Sequence, residues 1–207
     1  MEKLLLSEIA HCLNAECPEE KVITEISTDT RNLPAGCLFI AIKGERFDGH
    51  AFIKQAIENG AAAAVSEYPV DGCPCIVVKN TRTALLKLAK YYRSKFNPIL
   101  VGITGSVGKT TTKEMIALVL SEKYKTLKTQ GNLNNEIGLP KTLFNLDSSY
   151  QAAVIEMGMS DFGEIERLSN TAVPTIGVIT NIGFSHIENL KSQEGILKAK
   201  LEILSGM

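Results

Sequence analysis

An apolar run from Ile99 to Ile103 leads into Thr104-Gly105-Ser106-Val107-Gly108-Lys109-Thr110-Thr111-Thr112, and few folds accommodate such a string. It reads as a strand, a glycine turn, a Lys-Thr pair and a helix whose apolar face is expected to be Met115, Ile116, Val119 and Leu120. Glycines let successive backbone N–H groups close around an anion, and the helix start adds its partial positive charge. Lys109 is suited to the terminal phosphates of a nucleotide, and the Thr110 hydroxyl to Mg²⁺. Gly105, Ser106, Val107, Gly108, Lys109, Thr110 and Thr111 are therefore read as a nucleotide-binding loop. The generic G-x-x-x-x-G-K-[ST] spacing needs a glycine where Ile103 stands, and Gly102 comes one residue too early. A short T-G-x-x-G-K-T-T form remains.

The surroundings fit an α/β fold. After Pro98 the pattern alternates strand and helix, which implies a parallel sheet flanked by helices. Strands are expected at 99–104, 125–128, 152–157 and 175–180, and helices at 110–122, 136–144, 161–168 and 193–204. Residues 1–80 read as a separate small α/β unit, with a helix over 4–13 and strands at 22–27, 37–42, 61–65 and 75–78. A helix over 52–58 lies between these strands. A helix over 81–96 bridges the two units, so residues 81–97 form a linker and 98–207 a second domain. Ligands of open parallel sheets bind outside the carboxyl ends of the strands. Each expected strand of the second domain ends in such chemistry: the phosphate loop, Thr129 to Asn135, Glu156, and Asn181 to His186.

Composition narrows the function classes. The formal net charge of the 207 residues is −1, with 22 basic and 23 acidic side chains and no long basic block, so neither nucleic acid nor an anionic membrane is an expected partner. The opening apolar run is too short for a signal peptide, and no stretch approaches the roughly 18 apolar residues of a membrane span. The 5 cysteines lack a framework spacing and read as reduced thiols of a cytoplasmic protein, with Cys73-Pro74-Cys75 the only pair spaced for a metal.

Several side chains remain open on spacing alone. Glu156, at the end of a buried strand and beside Gly158, is placed like an acidic Mg²⁺ ligand. His186 reads equally as a surface histidine and as a metal ligand. Asn132, Asn134 and Asn135 suit a turn or a ligand contact. Lys198 and Lys200 read as solvated helix residues. In the first unit, Ser27-Thr28-Asp29-Thr30-Arg31 and Lys43 to His50 are loops dense in donors, suited to an anionic, sugar-like or nucleotide ligand or to no ligand at all. A GTPase would carry an N-K-x-D motif, and none occurs.

The segments STDTRNLPAGCLFIAIKGERFDGHAFIKQAIENGA, GITGSVGKTTTKEM, TQGNLNNEIGLPKTL and VIEMGMSDFGEIERL, with GVITNIGFSHIENL and EGILKAKLEI, resemble the Mur ligases of bacterial cell-wall synthesis. The short phosphate loop is the form that family uses. The N-x-N-N-x-I-G-x-P run points to the branch that adds D-Ala-D-Ala to a UDP-MurNAc-tripeptide. The resemblance implies an ATP-dependent ligase with two Mg²⁺ ions, acting as a monomer. ATP phosphorylates the tripeptide carboxylate, and the amine of D-Ala-D-Ala attacks the acyl phosphate. It also implies a UDP-binding first unit with Ser27, Thr28, Asp29, Arg31 and Lys43 as substrate contacts, and Asn134 and Asn135 as further substrate contacts. Lys109, Glu156, His186 and Lys200 become the catalytic group. Thr110, Glu156, His186 and a carbamylated Lys200 become the metal ligands. Family members are about twice as long, so the chain is expected to be a fragment that does not ligate alone; a non-catalytic UDP-sugar-binding module and a ligase adding a single amino acid are the alternatives.

Overall fold

The computed structural model describes residues 1–44 and 47–207; Glu45 and Arg46 of the donor-rich loop in the first unit lie outside the described residues. The chain divides into two compact units, Met1–Leu88 and Ala89–Met207. No helix among the described residues is long and apolar enough to cross a membrane.

The first unit runs β1 (Leu4–Leu5), α1 (Leu6–Leu13), β2 (Val22–Ile23), β3 (Ile26–Ser27), β4 (Leu38–Ile40), α2 (Ile53–Glu58), β5 (Ala63–Ser66), β6 (Cys75–Val77) and the start of α3 (Thr81–Arg93). Its sheet is parallel, in the order β3-β4-β5-β6. Phe39, Ile53, Ala56 and Ala64 pack into its core, so the strands are short and buried on both sides. The strand expected over 22–27 is two strands. Its first half pairs antiparallel with Leu4–Leu5, and its second half joins the parallel sheet. Thr24 and Glu25 are exposed between the halves, where the chain changes sheet. Leu4 and Leu5, expected in a helix, are strand residues for the same reason. All five cysteines are free thiols.

The second unit contains β7 (Ile99–Thr104), α4 (Lys109–Ser121), β8 (Thr126–Lys128), α5 (Gly138–Leu143), β9 (Ala152–Glu156), α6 (Glu164–Ala172), β10 (Ile176–Ile179), α7 (Ile187–Leu190) and α8 (Gln193–Leu201). A 3₁₀ turn, Glu202–Gly206, follows. The sheet is parallel throughout, in the order β10-β7-β9-β8. Ala152, Val154 and Ile155 of β9 are fully buried, each large apolar side chain contributing about 1.5–3 kcal/mol. The division between units falls inside α3. Its last turn belongs to the second unit, where the Tyr92 hydroxyl donates to Leu146 O (2.6 Å) and Arg93 donates to Ala172 O and Val173 O (3.0 and 3.2 Å).

Helix α4 turns a different face to the sheet than its apolar residues suggest. Met115 and Val119 are 64% and 71% exposed, while Lys113 and Ala117 are buried and Ile116 and Leu120 half-buried. The small Ala117 lets the helix lie close over Val101, Ile103 and Val154, and that contact fixes the rotation. Helix α6 starts three residues later than expected. Gly163 takes a left-handed φ of 78°, and the Glu202 carboxylate accepts its N–H at 2.8 Å, holding the first turn from outside the helix.

Candidate nucleotide site

The parallel register sets the site. Ile103 of β7 pairs with Glu156 of β9, and Thr104 pairs with Ile179 of β10. The phosphate loop, Glu156 and the chain after β10 therefore leave the sheet at one level. The loop is shaped by its glycines. Gly105 adopts φ 149°, and a Cβ there would stand 1.9 Å from Thr180 Oγ1. Gly108 is left-handed (φ 80°) and caps α4, so Lys109 is the first helical residue.

Thr110 Oγ1 donates to Glu156 Oε2 at 3.0 Å, and Asn134 Nδ2 donates to Glu156 Oε1 at 2.9 Å. Glu156 is 3% exposed. The two carboxylate oxygens are thus held between the helix that follows the phosphate loop and the asparagine loop that follows β8. Gly158 makes room for that loop: a Cβ on it would meet the Asn134 amide at 2.9 Å. Lys109 Nζ donates back to Gly105 O at 2.8 Å, which lays its ammonium across the loop. A cavity of about 300 Å³ opens here, lined by Lys109, Thr110, Thr111, Asn132, Asn134 and Glu156 among others.

The donor set fits a magnesium-bound polyphosphate. A hydroxyl and a carboxylate at 3.0 Å are hard oxygen ligands, which Mg²⁺ prefers, and a lysine stands on the phosphate side. Among the described residues, Thr104 Oγ1 and Ser185 Oγ are buried without a hydrogen-bond partner; Thr104 ends β7, and Ser185 lies in the loop between β10 and α7.

Other expected site residues do not line this cavity. His186 is exposed, takes φ 62° at the head of α7 and does not line the cavity. No group of three His, Cys, Asp or Glu side chains that could hold a metal occurs among the described residues. Asn135 Oδ1 accepts from Ile137 N and Gly138 N (3.1 and 2.8 Å), so its oxygen caps α5. Lys198 is solvated as expected, but Lys200 is not: it is 2% exposed. Burial, with the Lys109 charge, pushes its amine down to about 8.

In the first unit the loops after β3 and β4 leave neighbouring strands at the same sheet edge. Ser27 Oγ pairs with the backbone of Asp29 (3.0 and 3.1 Å). Arg31 grips Asp29 through Nε–Oδ1 (2.9 Å) and Nη2–Oδ2 (2.6 Å), which raises its already high pKa. Lys43 is exposed, and its backbone bridges to Asp48.

Three residues shape the nucleotide site through contacts that the sequence did not assign, although Thr129 and Asn181 head the polar segments expected after two strands. Asn181 Oδ1 accepts from both Ser106 N and Val107 N (3.1 and 3.0 Å), donors that such a loop directs at phosphate. Thr129 Oγ1 accepts from Glu156 N (2.9 Å), and buried Lys113 donates to Thr129 O (2.8 Å). The available signal was position: Thr129 directly follows β8, Asn181 lies two residues past β10, and Lys113 lies one helical turn after Lys109.

The fold and site define an α/β protein with a glycine-rich phosphate-loop motif at the edge of a parallel sheet. Residues 103–207 match the Mur ligase middle domain, and residues 22–93 match the catalytic domain of the Mur ligase family. The chain belongs to the Mur ligase family. It is 50% identical over 193 residues to the UDP-N-acetylmuramoyl-tripeptide–D-alanyl-D-alanine ligase of Bacillus subtilis (strain 168), covering 91% of this chain and 42% of that protein. The crystal structure of MurF from Acinetobacter baumannii superposes with a TM-score of 0.94 at 37% identity, over 100% of this chain and 47% of that one. MurF ligase from Thermotoga maritima, solved in complex with ADP, gives a TM-score of 0.83 at 37% identity, over 88% of this chain and 43% of that one. The chain spans under half the length of these relatives.

Proposed function

We propose that this chain forms the nucleotide-handling and UDP-binding parts of a cytoplasmic ligase that joins D-Ala-D-Ala to a UDP-MurNAc-tripeptide at the expense of ATP. The observation that carries the reading is the convergence of Thr110 and Glu156 at 3.0 Å beside Lys109, at the mouth of a glycine loop. A carboxylate is a poor electrophile at neutral pH. Transfer of the terminal phosphoryl group of ATP to its oxygen makes an acyl phosphate and leaves ADP. The amine of the dipeptide then adds to the acyl carbon, and the tetrahedral intermediate collapses to the amide with loss of phosphate and a proton.

The difficulty is to hold a polyphosphate and a carboxylate together, both anionic. Lys109 and the loop amides supply fixed positive charge where that repulsion develops. Thr110 and Glu156 would hold Mg²⁺, which supplies further charge neutralisation when bound. Asn134 keeps the Glu156 carboxylate turned toward Thr110. His186 and Lys200 are assigned to a second metal ion. Lys200 reacts with CO₂ only as a neutral amine, and an amine lowered to about 8 offers more of that form than an ordinary lysine. In the first domain, proposed as residues 1–80 with 81–97 as its connection to the nucleotide domain, Ser27, Thr28, Asp29, Arg31 and Lys43 are assigned to the UDP moiety, and Asn134 and Asn135 to other parts of the substrate.

Titration calorimetry tests the reading. The chain is expected to bind a nonhydrolysable ATP analogue more tightly with Mg²⁺ than in EDTA, and to bind UDP-MurNAc-tripeptide as well. Lys109→Ala is expected to lose the first and keep the second. Unchanged nucleotide binding by that variant would contradict the assignment.

A further inference from the structure

We propose that Lys113 is a positioning residue of the nucleotide site, fixing where the Glu156 carboxylate stands opposite Thr110. The inference rests on the magnesium-nucleotide reading above.

Lys113 is 1% exposed, among the largest fully buried side chains of the molecule. Among the described residues its ammonium has two partners, Thr129 O at 2.8 Å and the half-exposed Glu114 carboxylate at 3.1 Å. An interior lysine is expensive in folding free energy, because an ammonium gives up strong hydration and needs every donor satisfied. A methionine of similar length would cover the same apolar surface without that loss. Stability alone therefore gives no reason for a cation at this position, and what the cation grips does.

Thr129 is fully buried and directly follows β8. Its N–H donates to Val154 O (3.0 Å), and its hydroxyl accepts the N–H of Glu156 itself (2.9 Å). The chain then runs on to Asn134, which holds Glu156 Oε1 and whose carbonyl accepts Gly158 N at 2.8 Å. Lys109 and Lys113 are four residues apart in α4 and so share one side of the helix. The turn that faces the phosphates and the turn that anchors the β8 tip are thus adjacent in one rigid element. Glu156 is held from its backbone through Thr129 and from its carboxylate through Asn134, and Lys113 ties the first of these supports to the helix that carries Thr110.

The test compares the affinity of the 207-residue chain for a nonhydrolysable ATP analogue in Mg²⁺ and in EDTA, for the unaltered protein, Lys113→Met and Thr129→Val. Residues that orient metal ligands change metal affinity by about 10–100-fold. Lys113→Met is expected to keep its metal-free affinity within about twofold and to lose about tenfold of the Mg²⁺ enhancement. Thr129→Val, near-isosteric, is expected to lose a similar share. Retention of the full enhancement by Lys113→Met overturns the proposal; if that variant does not fold, retention by Thr129→Val does so instead. An equal fall in affinity with and without Mg²⁺ also overturns it, since that marks a merely structural role. An unaltered chain indifferent to Mg²⁺ overturns the metal assignment itself, and this inference with it.

Discussion

Both parallel sheets of this chain carry polar loops at their carboxyl ends, yet the turn after β3 and the loops of the second sheet are held in opposite ways. In the turn after β3 the contacts are local, Ser27 with Asp29 and Asp29 with Arg31, although the next loop along that edge is also tied to Glu67 through His50. At the edge of the second they join residues distant in sequence: Thr110 with Glu156, Asn134 with Glu156, and Asn181 with Ser106 and Val107. The first arrangement persists wherever its loop persists. The second exists only when β7, β8, β9 and β10 are all in register. A ligand at the first edge would meet an exposed ion pair that is easily rearranged, whereas a nucleotide at the second would meet a cradle built by the whole sheet.

Substitutions can break or sharpen that contrast. The largest effect is expected for Lys109→Ala, which removes the charge facing the phosphates; affinity for an ATP analogue should fall about a hundredfold or more, with UDP binding unchanged. Lys200→Met comes next, because commitment to the second site carries an interior amine that the first edge does not share. An amine lowered from 10.5 to about 8 on folding binds its proton more tightly in the unfolded chain, so stability rises with pH between those values and the full penalty applies below about 8. Lys200→Met should therefore gain roughly 2–3 kcal/mol at pH 7 and progressively less above pH 8, as read by denaturant titration at several pH values. Asn181→Asp should weaken the ATP analogue about tenfold, since a carboxylate against the Ser106 and Val107 amides repels and displaces phosphate. Arg31→Ala is expected to do least: about a fivefold loss of UDP affinity, with the melting temperature unchanged within about 2 °C, because an exposed ion pair adds little to folding.

The same contrast explains what the sequence could convey. The loop from Gly105 to Thr111 is contiguous, so its chemistry is legible in one line of residues, and the placement of Glu156 follows from strand periodicity. Family resemblance singles out Lys200 where helical position alone reads it as solvated, because its burial depends on how α8 packs against the rest of the unit. Helix α4 misleads in a similar way. Its apolar residues outnumber one face, and the buried row is chosen by Ala117, whose small side chain lets the helix approach the sheet. Lys113 and Asn181 act through partners 16 and 75 residues away, a relation no local pattern encodes.

The central claim is that a metal-bound polyphosphate sits between Lys109, Thr110 and Glu156. A crystal of the chain grown with Mn²⁺ and a nonhydrolysable ATP analogue tests it directly. The expected anomalous peak lies within coordination distance of Thr110 Oγ1 and a Glu156 carboxylate oxygen, with the terminal phosphates on the Gly105–Thr110 loop. A manganese peak and nucleotide found together at any other surface would contradict the account.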